Sequence, residues 1–467
     1  MNTIQEPLKE EHTHTNTTKK SVSSVSSKTS VIQTKKYPAY KDSGVEWIGD
    51  IPEHWHSKPF FTIGKVVSEN NNQNGELLSV YLEKGVIKFS DVSEKRTNVT
   101  SEDLSKYQTV ELGYLVLNNQ QAWRGSVGVS KYKGIVSPAY IVLKLSNKIN
   151  SDFANYLFRD GAMVSNYLIC SKGVGTIQRN LYWPQLKRAN VCFPPLSEQT
   201  SIAAFLDRKT AKIEQAIHIK QKQIELLQER RQILIHKSVT KGINPNVKLK
   251  DSGVEWIGEI PEGWEVKKLK YIVNIQGGYA FNSAMFKNEG IQIIKIANTY
   301  MNELCLDRQP TYVDKTFLKS HKEWIVGKGD ILMSLTGTLG KKDYGFAILI
   351  ENDEQFLLNQ RVAKITMKHG FEADYVLNIL RSEMYLNQLY QLPSGTKQAN
   401  LSNDDVLNIK IVFPADKKER QFILDFIVAI TTKIATTISL KEQEIEKLKE
   451  YKASLINSVV TGKVKVF

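Results

Sequence analysis

Little in this chain is suited to covalent chemistry. Its 467 residues include only three cysteines, Cys170, Cys192 and Cys305. They lie far apart, with no CxxC pair and no matching histidine spacing. That excludes a disulfide framework and a zinc site, and it suits a reducing cytosol. The most apolar stretch, Phe422 to Ile438, is interrupted by Asp425 and Lys433 and is read as no membrane span. The polar N-terminus is no secretory signal. A soluble, cytoplasmic protein without a membrane partner is expected. Gly337 to Lys342 has part of a phosphate-loop spacing, but Leu335 stands where the first Gly belongs and Lys342 where Ser or Thr is needed. A β-turn carrying two lysines fits it better. Gly173-Val174-Gly175 lacks the third Gly of a dinucleotide fingerprint. The pairs His12/His14 and His54/His56 lack the spacing of a metalloprotease helix. No carboxylate pair stands out as acid and base.

What the chain has in excess is positive charge, 63 Lys and Arg against 49 Asp and Glu, a formal net +14. Residues 1–36 are polar and poor in bulky apolar side chains, and read as a disordered tail. Six Lys against three Glu over residues 1–40 leave about +11 for the rest. A polyanion, nucleic acid first, is the expected partner.

The chain is also repeated. Lys41 to Trp55 (KDSGVEWIGDIPEHW) recurs as Lys250 to Trp264 (KDSGVEWIGEIPEGW), identical at 13 of 15 positions and offset by 209. Gly175-Thr176-Ile177-Gln178-Arg179-Asn180-Leu181 answers Gly395-Thr396-Lys397-Gln398-Ala399-Asn400-Leu401, and Phe193-Pro194 answers Phe413-Pro414, both offset by 220. Two complete domains are therefore present. Short strand-forming runs (Tyr114–Leu117, Ala139–Leu143; Ile291–Ile296, Ile331–Met333, Ala347–Ile350) and one helical stretch per copy (Asp152–Ile169, Ala373–Leu392) predict mixed α+β domains.

Long helices are predicted at Glu198–Val239 and Glu419–Val460. Apolar rungs Ile213, Ile217, Ile224, Leu227 and Leu234 recur 221 residues on as Ile434, Ile438, Ile445, Leu448 and Leu455. Steps of four, seven, three and seven make a heptad seam, with Lys220, Arg231, Lys441 and Lys452 on the skipped rungs. Two such helices in one chain are expected to pair as an antiparallel coiled coil, a rod of roughly 60 Å. The expected division is a tail at 1–36, domains at 37–197 and 243–414, and helical segments at 198–242 and 415–467.

These features together resemble the DNA-specificity subunit of type I restriction-modification systems, over nearly the whole chain from about residue 37. Phe193-Pro194-Pro195-Leu196-Ser197-Glu198-Gln199, followed by Ile202, is similar to that family's junction between a target-recognition domain and its spacer helix. The second copy departs from it: Phe413-Pro414-Ala415-Asp416-Lys417-Lys418-Glu419-Arg420-Gln421 has lost one Pro and gained a residue. Gly329-Asp330-Ile331-Leu332 and Leu358-Asn359-Gln360-Arg361-Val362 also resemble family text. Gly113-Tyr114-Leu115 and Ser137-Pro138-Ala139-Tyr140 of the first copy are less typical.

The resemblance implies a non-catalytic subunit whose two domains each read one half of a split double-stranded DNA target. It implies that the paired helices set the unread gap and dock two modification subunits, which methylate adenine. Restriction subunits then join. It implies no cofactor in this chain, with S-adenosylmethionine, ATP and Mg on the partners. The residues agree: no (N/D)PP(Y/F) motif occurs, Asn244-Pro245-Asn246 and Phe193-Pro194-Pro195 being the nearest. The alternative is a non-catalytic protein–protein adaptor with two interaction domains on a helical spacer.

Base edges take Asn, Gln and Arg, and phosphates take Lys, Arg and small polar groups. The candidate DNA-binding residues in the first copy are Asn118, Asn119, Gln120, Gln121, Trp123 and Arg124, with Gln178, Arg179 and Asn180 of the shared loop. In the second copy they are Lys341, Lys342, Gln360, Arg361, Gln398 and Asn400. Text shared by both copies suits structure or backbone contact, so Asn118–Arg124 ranks first for specificity. The near-identical boxes around Trp47 and Trp256 are assigned to structure or subunit docking.

Overall fold

Leu115, Val116 and Leu117 are all fully buried, so the strand Leu115–Asn118 must be covered on both faces. In the computed structural model, which describes residues 35–70, 72, 74–91, 103–174, 178–392 and 397–467, it is an inner strand of a four-stranded antiparallel sheet. The order is Gly64–Val67, Tyr140–Leu145, Leu115–Asn118, Val127–Val129, with Val142 opposite both Val67 and Val116. Val116 and Val142 join Leu78, Val80, Val86, Val110 and Val136 in one apolar cluster. Strand alternation turns Leu115 and Leu117 to the other face.

The second copy builds the same sheet in the same order: Val273–Gly277, Val362–Met367, Ile331–Ser334, Ala347–Leu349. Ile331 and Met333 face a core containing Tyr375, Val376, Ile379 and Tyr385, while Leu332 faces Ile294, Val326, Phe356 and Leu358. Here the second face is a further mixed sheet, in which Ile291–Ile294 runs parallel to Phe356–Leu358.

Each helical stretch expected as one piece is two. Asp160, extended at φ −71° and ψ 152°, ends Ser151–Arg159 and caps Gly161–Ile169 by accepting from the Ala162 N–H at 2.9 Å. Ser382 caps Glu383–Leu389 in the same way after Ala373–Leu380. A short polar residue that bonds its own downstream backbone competes with helix continuation, and apolar periodicity does not register it.

The long helices are Leu196–Lys241 and Lys417–Val460. The first starts directly after Pro195, whose carbonyl accepts the N–H of Glu198. In the second, Asp416 Oδ1 accepts the Lys418 N–H at 3.0 Å and replaces the missing proline as a start signal. The chain divides into two compact units, residues up to Thr210 with Lys452–Phe467, and Ala211–Tyr451. The expected tail, residues 1–34 of it, lies outside the described residues.

The repeated box has a defined position in both units. Trp55 is fully buried and Trp264 nearly so. Trp55 Nε1 donates to Glu198 Oε1 at 3.0 Å, and Trp264 Nε1 to Glu419 Oε1 at 2.8 Å. Each box thus holds the first turn of the helix that leaves its own domain. The other side of each indole meets the end of the other long helix. Gly462 lies against Trp55 and Gly242 against Trp264, both glycines in the left-handed conformation that ends a helix. Glu198 also accepts from Tyr37 Oη and contacts His54 Nε2 at 2.8 Å.

Within the second unit, Lys220 Nζ donates to Glu444 Oε2 (2.5 Å) and Lys441 Nζ to Gln223 Oε1 (2.7 Å). Of the ten rungs, Ile213, Ile434, Ile445 and Leu455 are buried, and Ile217, Ile224, Leu227, Leu234, Ile438 and Leu448 half-buried. Lys417–Val460 is long and apolar enough to cross a membrane by length and composition, because two charges do not disqualify so apolar a window. Ile423, Leu424 and Ile427 of that stretch are nevertheless core residues of the second unit.

Candidate nucleic-acid interface

In the first unit, the turn after Leu115–Asn118 is built by its own side chains. Asn118 Oδ1 accepts the Gln120 N–H at 3.1 Å, and the Gln121 N–H donates to the Asn118 carbonyl at 3.0 Å. A short turn Ala122–Arg124 follows and ends at Gly125, whose φ of 98° suits glycine. Trp123 Nε1 donates to the Gln120 carbonyl at 3.0 Å, which fixes the indole. The Arg124 guanidinium lies 4.6 Å from the Trp123 ring centre, and that of Arg179 lies 5.7 Å from the same ring. The Leu181 N–H donates to the Asn119 carbonyl at 2.9 Å and ties the two segments together. Asn119 Oδ1 and Arg179 Nε are buried with no hydrogen-bond partner among the described residues. Two sequence clusters about 60 residues apart thereby form one surface, with Gln120, Arg124 and Asn180 exposed.

Gln178, Arg179 and Asn180 are not in a loop as expected. They form the strand Gln178–Leu181, paired with Ser171–Val174 in a hairpin. The Gly175 and Thr176 positions lie outside the described residues, as do Gly395 and Thr396 of the second copy.

In the second unit the equivalent segment follows Ile331–Ser334. Thr336–Thr338 pairs with Gln398–Asn400, another strand where a loop was expected, with Thr336 opposite Asn400 and Thr338 opposite Gln398. Ala399 between them is fully buried, so Gln398 and Asn400 project outward. The Leu401 N–H donates to the Leu335 carbonyl at 2.9 Å, the counterpart of Leu181 and Asn119. The turn beyond carries Lys341 and Lys342. Lys342 sits at φ 53°, an uncommon conformation for a residue other than glycine, and its Nζ lies 5.4 Å from the Tyr390 ring centre. Arg361 joins through its carbonyl, which accepts the Leu335 N–H at 3.0 Å. Lys341, Lys342, Gln360, Arg361, Gln398 and Asn400 are all exposed. The structure therefore gathers the candidates of each copy on matching segments of the two sheets.

Sequence reasoning missed Lys172, whose ammonium lies 3.8 Å over the Tyr182 ring beside the first site. The hairpin that juxtaposes them is not visible as a motif. Tyr390, beneath Lys342, was missed because 48 residues separate them. His54 is engaged by Glu198, and His56 packs on Phe193 with ring centres 5.6 Å apart. Among the described residues no group of three or more His, Cys, Asp or Glu is placed to hold a metal ion.

Comparison with known proteins agrees with this duplicated arrangement. Residues 55–226 and 261–450 each match the model of the type I restriction modification DNA specificity domain. The type I restriction enzyme MjaVIII specificity subunit of Methanocaldococcus jannaschii is 28% identical over 395 residues, covering 84% of this chain and 86% of that protein. The MjaIX specificity subunit of the same organism is 22% identical over 433 residues, 90% and 95% of the two chains. Among solved structures, a chain from a study of complex assembly and conformational transition of the type I R-M system superposes with a TM-score of 0.62. It is 13% identical, and the match covers 88% of this chain and 98% of that one. The HsdS subunit from Thermoanaerobacter tengcongensis gives 0.51 at 14% identity, covering 89% and 98%. With the family domain matched in both units, the chain belongs to the type I restriction-modification DNA specificity family, as a specificity subunit with two copies of the recognition domain.

Proposed function

We infer that each unit reads one half of a bipartite double-stranded DNA target, and that the two long helices pair to set the unread gap. Specificity subunits are non-catalytic. In this reading the chain brings DNA to modification subunits that methylate adenine from S-adenosylmethionine. Restriction subunits, using ATP and Mg, join on the same scaffold. One observation carries the reading: two sheets of identical strand order present polar, basic segments at the same place, and the segments differ in residue type. A conserved framework with unlike contact residues is what two related readers of different sequences require.

The helix pairing is supported by the two cross-helix contacts. Lys220 with Glu444 and Gln223 with Lys441 run in opposite directions along the two helices. In that register Lys220 falls opposite Ile445 and Lys441 opposite Ile224, so each polar rung meets an apolar one and its ammonium turns sideways to Glu444 or Gln223. Sliding by one rung in one direction would set Lys220 against Lys441, and in the other would carry Lys220 to Leu448 and away from Glu444, so the polar rungs and their side contacts together favour one register.

The test is binding of the full chain, assembled with its modification subunits, to a long duplex across a salt series. Engagement of phosphate by about five cations predicts a log–log slope of roughly −4 to −5. That is a loss of several hundredfold in affinity between 50 and 200 mM salt. Salt-insensitive association would leave the protein-adaptor reading in its place.

A further inference from the structure

The two recognition segments occupy the same place in the fold but carry different cations. In the first unit these are guanidiniums, Arg124 and Arg179. In the second, Lys341 and Lys342 stand at the matching turn, Ala399 fills the position of Arg179, and the exposed Arg361 lies apart from them, just before the strand Val362–Met367. Both arginines thus stand where the duplicated text disagrees. Trp123, pinned through Nε1 to the Gln120 carbonyl, holds both guanidiniums within 6 Å of its ring. Among the described residues neither arginine has a carboxylate within ion-pair distance.

A guanidinium stacked on a fixed indole loses rotational freedom in advance and keeps its planar fork of donors. That fork matches the O6 and N7 acceptors of guanine in the major groove, a pattern no other base presents. A lysine ammonium is a point charge and suits phosphate. Trp123 orients two guanidiniums at once, whereas in the second unit Tyr390 carries the single ammonium of Lys342. We propose that Arg124 and Arg179, supported by Trp123, read guanine in the half-site of the first unit, whereas the lysines of the second unit hold its half-site by phosphate. This rests on the first unit being a half-site reader.

The experiment maps methylated adenines in a host carrying the intact system, then repeats the map with Arg124→Lys and with Arg179→Lys. The expected wild-type target has guanine in the half-site of the first unit. Each substitution should relax one guanine position by roughly ten- to hundred-fold in discrimination, while the other half-site stays unchanged and thereby reports an assembled complex. Trp123→Leu should relax the same positions without changing the salt slope, and Trp123→Phe should restore most of the discrimination. A duplex of the mapped target with 7-deazaguanine at the read position should bind the wild-type complex less tightly. A first half-site without guanine overturns the proposal. So do lysine variants that keep the target while lowering affinity and salt slope uniformly, the signature of phosphate contact. Exchange of the whole first unit for that of a relative is a separate control: if no half-site transfers, the bipartite reading itself fails, whatever the arginines do.

Discussion

Lengthening the spacer in steps should move the two half-sites apart by amounts fixed by helix geometry. In the register given by Lys220–Glu444 and Gln223–Lys441, matched insertions fall after Leu227 and after Thr437. One heptad adds about 10.5 Å of helix at 1.5 Å per residue, or about three base pairs at 3.4 Å each. Three base pairs also rotate one half-site by nearly a third of a turn about the duplex, so a one-heptad variant should accept the longer gap weakly. Three heptads add about 31 Å, or nine base pairs, within one or two of a full turn of 10–10.5. A left-handed supercoil of ~150 Å pitch turns the reading units by about a fifth of a turn over that length. It does so in the same sense as the shortfall, leaving roughly a tenth of a turn to absorb. The three-heptad variant should therefore methylate more efficiently than the one-heptad variant, at a gap nine or ten base pairs longer, with both half-site sequences intact. Mapping methylated adenines in cells carrying each variant measures this directly. A changed half-site sequence, or an unchanged gap, refutes the spacer argument.

Other perturbations follow from contacts within single units. Arg420 is buried and donates to Glu372 Oε2 at 3.1 Å and to the carbonyls of Pro414, Ala415 and Gly370. Arg420→Ala strands a half-buried carboxylate and three carbonyls, and should cost about 3–5 kcal/mol. Thermal melting should fall by roughly 10 °C, with partial recovery in the double variant with Glu372→Gln; a drop under 2 °C contradicts the packing described. Trp55→Ala removes a fully buried indole and leaves Glu198 short of a donor, for a loss of about 3–5 kcal/mol; Trp55→Phe should recover most of it in denaturant titration. Asp160 is buried, and desolvation raises its carboxyl above the usual range despite donors from Ala162 N–H and Asn457 Nδ2. A carboxyl raised on folding favours the native state at low pH, and that contribution is lost as pH rises from the unfolded pKa through the folded one. Asp160→Asn keeps the helix cap, so it should raise the melting temperature at pH 7 by an increment that closes toward pH 4. An increment independent of pH contradicts the assignment.

Duplication and heptad spacing were legible because they are repeated in the text. Ile213 to Leu234 and Ile434 to Leu455 announce helices by period alone, and the near-identical boxes mark where each domain begins. The helix breaks at Asp160 and Ser382 were not legible, because one capping hydrogen bond decides them and the apolar period runs through it. The candidate residues were found by type, since Asn, Gln and Arg crowd at Asn118–Arg124. Their grouping depends on a backbone bond from Leu181 to Asn119, between residues 62 positions apart. For the same reason the strand character of Gln178–Leu181 and Gln398–Asn400 was hidden: the first pairs with Ser171–Val174 and the second with Thr336–Thr338.

The seating of each box tryptophan between the start of one long helix and the end of the other has a bearing on recombination. A recognition domain does not own a whole helix; it holds the first turn of the one it emits, through Glu198 or Glu419, and the last turn of the one it receives, at Gly462 or Gly242. Crossovers that exchange one domain for a relative's are best tolerated inside the helices, near the middle of the heptad ladder, where both tryptophan seats stay intact. A breakpoint at the boundary between domain and helix would separate an indole from its carboxylate. New target combinations should therefore arise by trading text between mid-helix points, with the seam acting as a standard joint between unlike readers.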